Sequence, residues 1–390
     1  MFNCCKFEGA STRRIIARKS GKKSTLSFSG FYMGTLCSRD IFFPKFCVQA
    51  SFDMSITKLC ITGGSGFIGT TAVQLALDQA VQVVNFDIRP PKILKHQPFW
   101  KYVDIRDKEQ FTSALEDFLP THILHLAAMT GMDIENMSFF DANTVGVQNL
   151  LEASKHLSNL ERILFTSSLL VCKNGYVPKS DTEYCPPNLY GESKVIGEQL
   201  MRESEIHCDW VIVRPTSIWG PWFEHSYKKF FQVLNRGWYV QPGAEPIIKP
   251  LGYVGNTVHM MKKILYSEEK IISHNTYYLG DYPQHSIQEW ADLIRTELGK
   301  PGKTPVFPIA GLRLMAKIGD TLKLLGWNDP PLTSFRLNNM LTGAHYPIEK
   351  TQTVVGELPF TLQEGVQQTL DWMGQQGMLR SRNPADRDLI

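Results

Sequence analysis

In the stretch NLYGESKVIGEQL, Tyr190 and Lys194 stand four residues apart on an amphipathic helical pattern, so both side chains leave one face. A phenol ordinarily titrates near 10 and is a poor base at neutral pH. A lysine ammonium one turn away favours the phenolate, and bringing it near neutrality needs roughly 4 kcal/mol of differential stabilisation. The spacing alone also describes an ordinary surface helix pair. What singles it out is the upstream run ILFTSS, closed by Ser167 and Ser168. A hydroxyl at such a strand end can hold a substrate hydroxyl beside the phenolate, although capping the strand end is the plainer role for Ser168. Ser168, Tyr190 and Lys194 are therefore the candidate catalytic residues. The chemistry they allow is deprotonation of an alcohol whose carbon gives up a hydride.

A hydride needs an acceptor. The first apolar run ends in ITGGSGFIG, with Gly63, Gly66 and Gly69 at three-residue spacing where a helix begins. One glycine allows a sharp turn, one lets backbone N–H groups approach a pyrophosphate, and one lets helix pack on strand. The helix N-terminus adds a partial positive charge facing the phosphates. A plain glycine turn would need nothing further, but Asp87 ends the next strand, 18 residues after Gly69, where a carboxylate can take ribose hydroxyls. That carboxylate repels a 2′-phosphate, which points to NAD. Arg89 and Lys92 lie close enough to leave NADP open.

The elements that must position these residues alternate. Strands read at 58–63, 82–87, 122–127, 162–167 and 210–214, with helices near 68–79, 108–118, 139–156 and 190–204. The strands are near-continuous apolar runs such as VQVVNFD and THILHLAA, the pattern of strands buried on both faces. An α/β fold follows, a Rossmann-type doubly wound parallel sheet with a smaller, loop-rich C-terminal region. The expected division is a dinucleotide-binding domain over 56–215 and a substrate-binding region over 216–378 interleaved with it. A strand at 276–279, a helix at 286–298 and a mixture of short helices and loops over 300–375 complete the pattern, and 379–390 reads as a frayed tail.

With 390 residues, 43% hydrophobic and 20% charged, the chain can bury a full core. Its net charge of +3 argues for neither nucleic acid nor a membrane surface as partner. The average hides an asymmetry: residues 1–53 hold nine Lys/Arg and three acids, leaving the remainder at −3. This leader, 1–55 as a segment, has the composition of an organelle transit peptide or of an upstream extension before a start at Met54. The corresponding localisations are organellar or cytoplasmic. No stretch approaches the roughly 20 apolar residues of a membrane span. Eight scattered cysteines show no metal-ligand spacing, so no metal is expected, and Cys60 and Cys208 read as buried small hydrophobes in a reducing compartment.

The motifs TGGSGFIG (62–69), VDIRD (103–107), HLAA (125–128), NTVG (143–146), FTSS (165–168), YGESK (190–194) and RPTSIWGP (214–221) occur in one order along the chain. In this the sequence resembles the extended short-chain dehydrogenase/reductase family, in its NAD-dependent epimerase/dehydratase branch. The resemblance implies that Phe67 and Ile68 continue the pyrophosphate loop and that Asp104 and Ile105 hold the adenine. It places Ala127, Ala128 and Asn143 along the dinucleotide. It assigns Ser168 to orienting the substrate hydroxyl and Tyr190 to the base. Lys194 then binds the nicotinamide ribose and tunes the tyrosine. It also implies a homodimer formed through the helices carrying Asn143 and Tyr190.

Departures from the pattern narrow the function. Relatives that eliminate water or carbon dioxide carry an acid just after the catalytic hydroxyl, whereas this chain has Leu169 and Leu170. Neither can move a proton, so neither 4,6-dehydratase nor decarboxylase activity is expected. The usual Val-Tyr-Gly is Val171-Cys172-Lys173, and the asparagine of the Arg-x-x-Asn motif is Ser217. Tyr253 falls at a substrate-region motif without its usual partners. Arg336, His259 and His285 read as surface or satisfied polar residues. The leading expectation is an NAD(P)-dependent epimerase or ketoreductase of a nucleotide sugar. An alternative is a dehydrogenase of a hydroxysteroid-like alcohol, with Leu169, Leu170, Trp219, Trp222 and Phe223 forming a greasy pocket. A non-catalytic dinucleotide-binding regulator is the third reading, against which the complete Ser168, Tyr190 and Lys194 set speaks.

Overall fold

Alternation within single strands explains why the sheet is covered on both sides. In β1 (Lys58–Thr62), Leu59 and Ile61 enter one apolar cluster and Cys60 the opposite one, as side chains of period two must. The other strands of the sheet are β2 (Gln82–Asp87), β3 (Trp100–Tyr102), β4 (His122–His125), β5 (Arg162–Thr166), β6 (Asp209–Pro215) and β10 (Thr276–Leu279). Every pairing in it is parallel, in the order β3-β2-β1-β4-β5-β6-β10. The computed structural model describes residues 57–379, apart from 177, 225, 269–271, 328–329, 331 and 344–345, all within the second of two units, Phe42–Ile390. The basic leader and, beyond Leu379, the polar tail lie outside the described residues.

One face of the sheet packs on α1 (Phe67–Asp78) and α6 (Val254–Leu265), through Val73, Val258, Met261 and Ile264. The other packs on α2 (Lys108–Phe118), α3 (Val145–Ser154) and α4 (Leu189–Glu203), through Phe111, Leu115, Leu150 and Met201. The sequence expected one helix over 139–156. The chain instead makes a 3-10 turn, Met137–Asn143, and starts α3 after Thr144, because the Asn143 side chain is drawn back toward the β4 exit. Strand β3 escaped the sequence reading because it is three residues long with two exposed side chains.

Beyond β6 the chain forms small parallel pairs, β7 (Ser217–Trp219) with β9 (Leu251–Tyr253) and β8 (Gln241–Pro242) with β11 (Val306–Phe307). Between and after them run α5 (Ser226–Arg236), α7 (Ile287–Glu297), α8 (Ile309–Leu324), α9 (Ser334–Leu341), α10 (Glu349–Val355) and α11 (Leu362–Gln375). Capping boxes start two of them, Ser286 with Glu289 and Thr361 with Glu364. Trp219 sits at the centre of this region, fully buried, with Trp290, Tyr253 and Phe231 rings at 5.1, 5.2 and 6.1 Å. Trp222 packs on Trp372, as does Phe223. These aromatics are core rather than pocket lining. Among the described residues, no helix is long and apolar enough to cross a membrane, and no cluster of three metal-binding side chains occurs.

Candidate active site

The parallel sheet brings the carboxyl ends of β1 to β5 to one edge, and each sequence-predicted site residue lies there or in the segment that follows. Gly63 adopts φ +73°, and its N–H donates to the Phe86 carbonyl at 2.8 Å. A Cβ on it would stand 2.6 Å from the Ala127 nitrogen. A Cβ on Gly69 would stand 2.2 Å from the Gly63 carbonyl oxygen, so α1 can meet the strand end only through glycine. Gly66 is the N-cap and offers no side-chain cap, which leaves the first-turn N–H groups around Phe67 and Ile68 without one.

Asp87 closes β2 against this loop. One of its carboxylate oxygens accepts the Ser65 N–H at 3.0 Å and the other the Arg89 N–H at 2.9 Å. Burial raises its pKa above the usual carboxylate range, and the backbone donors oppose that. Lys92 is committed elsewhere, donating to Glu224 Oε1 at 2.6 Å and to the Trp222 carbonyl at 3.3 Å. Asn85, behind the loop, donates to Ser65 Oγ at 3.0 Å and would clash with any side chain at Gly64.

Farther along the edge, Asp104 forms a two-point contact with Arg106, at 3.0 and 2.6 Å. Its N–H is taken by Gln110 Oε1. Ile105 is buried against Gly146 of α3, and its carbonyl accepts from Asn149. Ala127 and Ala128 are half-buried where β4 gives out. Asn143 holds that exit in place: its Oδ1 accepts the Met129 N–H at 2.8 Å while its Nδ2 donates to the Met129 carbonyl and to Ser193 Oγ. Ser193 in turn donates to the Tyr190 carbonyl at 2.7 Å. A continuous chain of hydrogen bonds thus runs from the β4 exit to the candidate base.

The candidate catalytic residues are brought together. The Ser168 hydroxyl lies beside the Tyr190 phenol, near enough to favour its ionised form, and Ser168 Oγ accepts the Leu170 N–H at 3.1 Å. Lys194 Nζ donates to the Thr166 carbonyl at 2.9 Å. Two glycines let α4 come this close. A Cβ on Gly191 would lie 2.3 Å from the Leu170 carbonyl oxygen, and one on Gly197 would lie 2.7 Å from the Phe165 ring. Beside the set, the Thr166 and Ser167 hydroxyls are buried and find no partner among the described residues. Unmet polar atoms at that edge suit a site that receives a polar ligand.

The electrostatics differ from the expectation that Lys194 lowers the phenol. Burial raises the Tyr190 pKa, and what opposes it is the neighbouring Ser168 hydroxyl. The Lys194 ammonium is turned to a carbonyl, and burial brings its pKa down to about 8 while Glu198 works to raise it. His125 lies under the site, stacked on Phe165 at 5.8 Å, with burial and then Lys194 pushing its pKa down to about 3. It is neutral at physiological pH.

Three buried titratable positions beside the candidate site were not singled out in the sequence. Glu198 and Arg214, both fully buried, form a two-point ion pair at 2.8 and 2.7 Å that fastens α4 to β6. Arg214 also donates to the Tyr278 hydroxyl at 2.7 Å. The signal was present in principle, since Glu198 lies four residues beyond Lys194 on the same helix face. His125 was read only as part of HLAA. Of the weaker candidates, Tyr253 is fully buried and donates to Gln368 Oε1, Arg336 donates to the Pro330 carbonyl, and His285 lies 3.7 Å from Glu289. Leu169 packs on Tyr278, Tyr346 and Ile348.

Comparisons with known proteins place the chain in a family. Residues 59–278 match the model of the family described as NAD dependent epimerase/dehydratase. The chain is 24% identical to the N-acetyl-alpha-D-glucosaminyl-diphospho-ditrans,octacis-undecaprenol 4-epimerase of Escherichia coli O157:H7, over 81% of this chain and 95% of that protein. It is 25% identical to a 3 beta-hydroxysteroid dehydrogenase/Delta 5-->4-isomerase of Mycobacterium tuberculosis, over 83% and 92%. The fold matches the Thermus thermophilus UDP-glucose 4-epimerase solved with NAD, with a TM-score of 0.61 and 22% identity, covering 82% of this chain and 99% of that one.

Proposed function

This chain belongs to the NAD-dependent epimerase/dehydratase family, and on that premise we propose that it is an epimerase or ketoreductase working at a carbinol carbon of a nucleotide-sugar-like substrate. The observation that carries the reading is the convergence of Ser168 and Tyr190, with Lys194 one turn on, at the sheet edge that also holds the glycine loop. NAD is the proposed cofactor. Gly63, Gly66, Phe67, Ile68 and Gly69 would hold its pyrophosphate, Asp87 its adenosine ribose, and Asp104 with Ile105 its adenine. Ala127, Ala128 and Asn143 would flank the dinucleotide. The ion pair holding Lys92 to Glu224 favours NAD over NADP, because that cation is already spent.

Bound NAD would supply the hydride acceptor and a positive charge. Ser168 then holds the substrate hydroxyl, and Tyr190, once ionised, takes its proton as the carbon–hydrogen bond gives up its electron pair. Lys194 contributes charge through the ribose rather than by touching the phenol. With leucines at 169 and 170, no acid stands at a leaving hydroxyl, which supports redox chemistry without elimination. In an epimerase the ketone would turn over and the hydride return to its other face. The 216–378 region is the proposed substrate-binding part, and a homodimer through the Asn143 and Tyr190 helices belongs to the same reading.

A second reading, oxidation of a hydroxysteroid-like alcohol, is favoured by the similarity to the mycobacterial dehydrogenase and by the apolar Leu170 beside Ser168. The test is a panel of UDP-, GDP- and dTDP-sugars against steroid alcohols, with cofactor absorbance followed. Epimerisation with retained NAD and no net consumption fits the first form, and stoichiometric NADH oxidation fits the reductase. Turnover of steroids alone would overturn the sugar reading.

A further inference from the structure

Helix α8 carries two apolar faces, and the described residues cover only one. Leu312, Ala316 and Gly319 are buried against α9, where Leu337 completes a small cluster. Gly319 approaches the Leu332 backbone so closely that no side chain would fit there. The inward face is therefore fixed, and the helix cannot roll. On the outward side Leu314 is 63% exposed, Ile318 53% and Leu325 78%, at positions that stack on one stripe. Met315 and Leu324 flank it on the helix and Trp327 follows just past the helix end, each more than half exposed. An unmet apolar patch of this kind marks a contact surface.

Charge says what kind of contact. Arg313, Lys317 and Lys323 are exposed on the same helix. Its one acid, Asp320, is turned aside to accept the Ser334 N–H at 3.0 Å. Residues 300–327 hold five Lys/Arg and one acid. The described span 57–379 holds 29 and 33, so outside this segment 24 cations face 32 acids. A cationic, greasy helix stands on an acidic body. A protein partner could match the apolar stripe, but the combination of bulky apolar side chains, a terminal tryptophan and flanking cations is that of a helix lying in a lipid interface. Anionic headgroups would meet the cations, and the acidic remainder of the body would be held off the surface.

We propose that the outer face of α8 docks the protein on an anionic membrane surface, lying in the interface rather than spanning it. This stands apart from the reaction assigned above and survives its failure. The whole-chain charge conceals the feature, because the cations of α8 are cancelled in the sum.

The test is sedimentation of the full chain with vesicles of phosphatidylglycerol and phosphatidylcholine, compared with phosphatidylcholine alone. The expected result is binding to the anionic vesicles that weakens with salt. The double variant Leu314→Asp/Ile318→Asp is expected to bind roughly tenfold more weakly or worse. Lys317→Ser should cost about fivefold on anionic vesicles and nothing on neutral ones. All these side chains are exposed, so an unchanged melting temperature certifies the fold. Three results would overturn the proposal: no binding by the wild type, equal binding by the double variant (the basic leader then being the binder), or conversion of a dimer to a monomer by Ile318→Asp.

Discussion

The glycine loop and the candidate catalytic corner lie on one sheet edge but are built from opposite materials. The loop is made of backbone: its turn, its approach to β4 and its contact with α1 all depend on side chains being absent. The corner is made of side chains, Ser168 with Tyr190, Lys194 and the neutral His125, and burial shifts the protonation of the last three. What the difference teaches is where each region is vulnerable. Added volume damages the first, and changed charge damages the second.

Substitutions can break or sharpen that contrast. The largest effect should come from Tyr190→Phe, which removes the proposed base and keeps the ring. Turnover should fall roughly a hundred- to ten-thousand-fold, with the melting temperature and NAD titration unchanged. Activity within a factor of a few of wild type would remove the corner from the chemistry.

Next is Glu198→Ala, which leaves Arg214 buried without its carboxylate and should cost about 3–5 kcal/mol in denaturant unfolding. A loss well below 1 kcal/mol would mean that α4 is held by its apolar face and that charge matters less to the corner than argued.

Gly69→Ala places a methyl against the Gly63 carbonyl and should cost about 1–3 kcal/mol. It should weaken NAD binding by calorimetry while leaving the corner's pH profile alone. A shifted profile would show that the two regions are not separable.

The smallest effect concerns pH. Burial pushes Asp281 up to about 7, against the Tyr253 N–H and Asn256 donors. Its folded pKa exceeds the unfolded value near 4, so its stabilising contribution is complete below pH 4 and is lost as pH rises through 7. Unfolding midpoints should therefore decline between pH 5 and 7.5 more steeply in the wild type than in Asp281→Asn.

Much of the loop was legible in the sequence because glycine spacing and apolar runs are local signals. Gly63, Gly66, Gly69 and Asp87 all meet at one place, as their positions implied. The corner was legible as a set of residues but not in its electrostatics. Four-residue spacing puts Tyr190 and Lys194 on one face, yet only the packed structure turns the ammonium to the Thr166 carbonyl. The Glu198–Arg214 pair joins residues 16 apart across two elements and has no local signature. The outer stripe of α8 was hidden for another reason. Leucine and isoleucine at helical spacing look the same in a sequence whether they face a core or the solvent.

The close approach of Gly191 to the Leu170 carbonyl has a mechanical consequence. With no side chain between them, the first turn of α4 and the 168–171 turn are wedged into a single cassette. The phenol and the serine beside it are carried on that one cassette, so rearrangement of the surrounding loops leaves their relative placement unchanged.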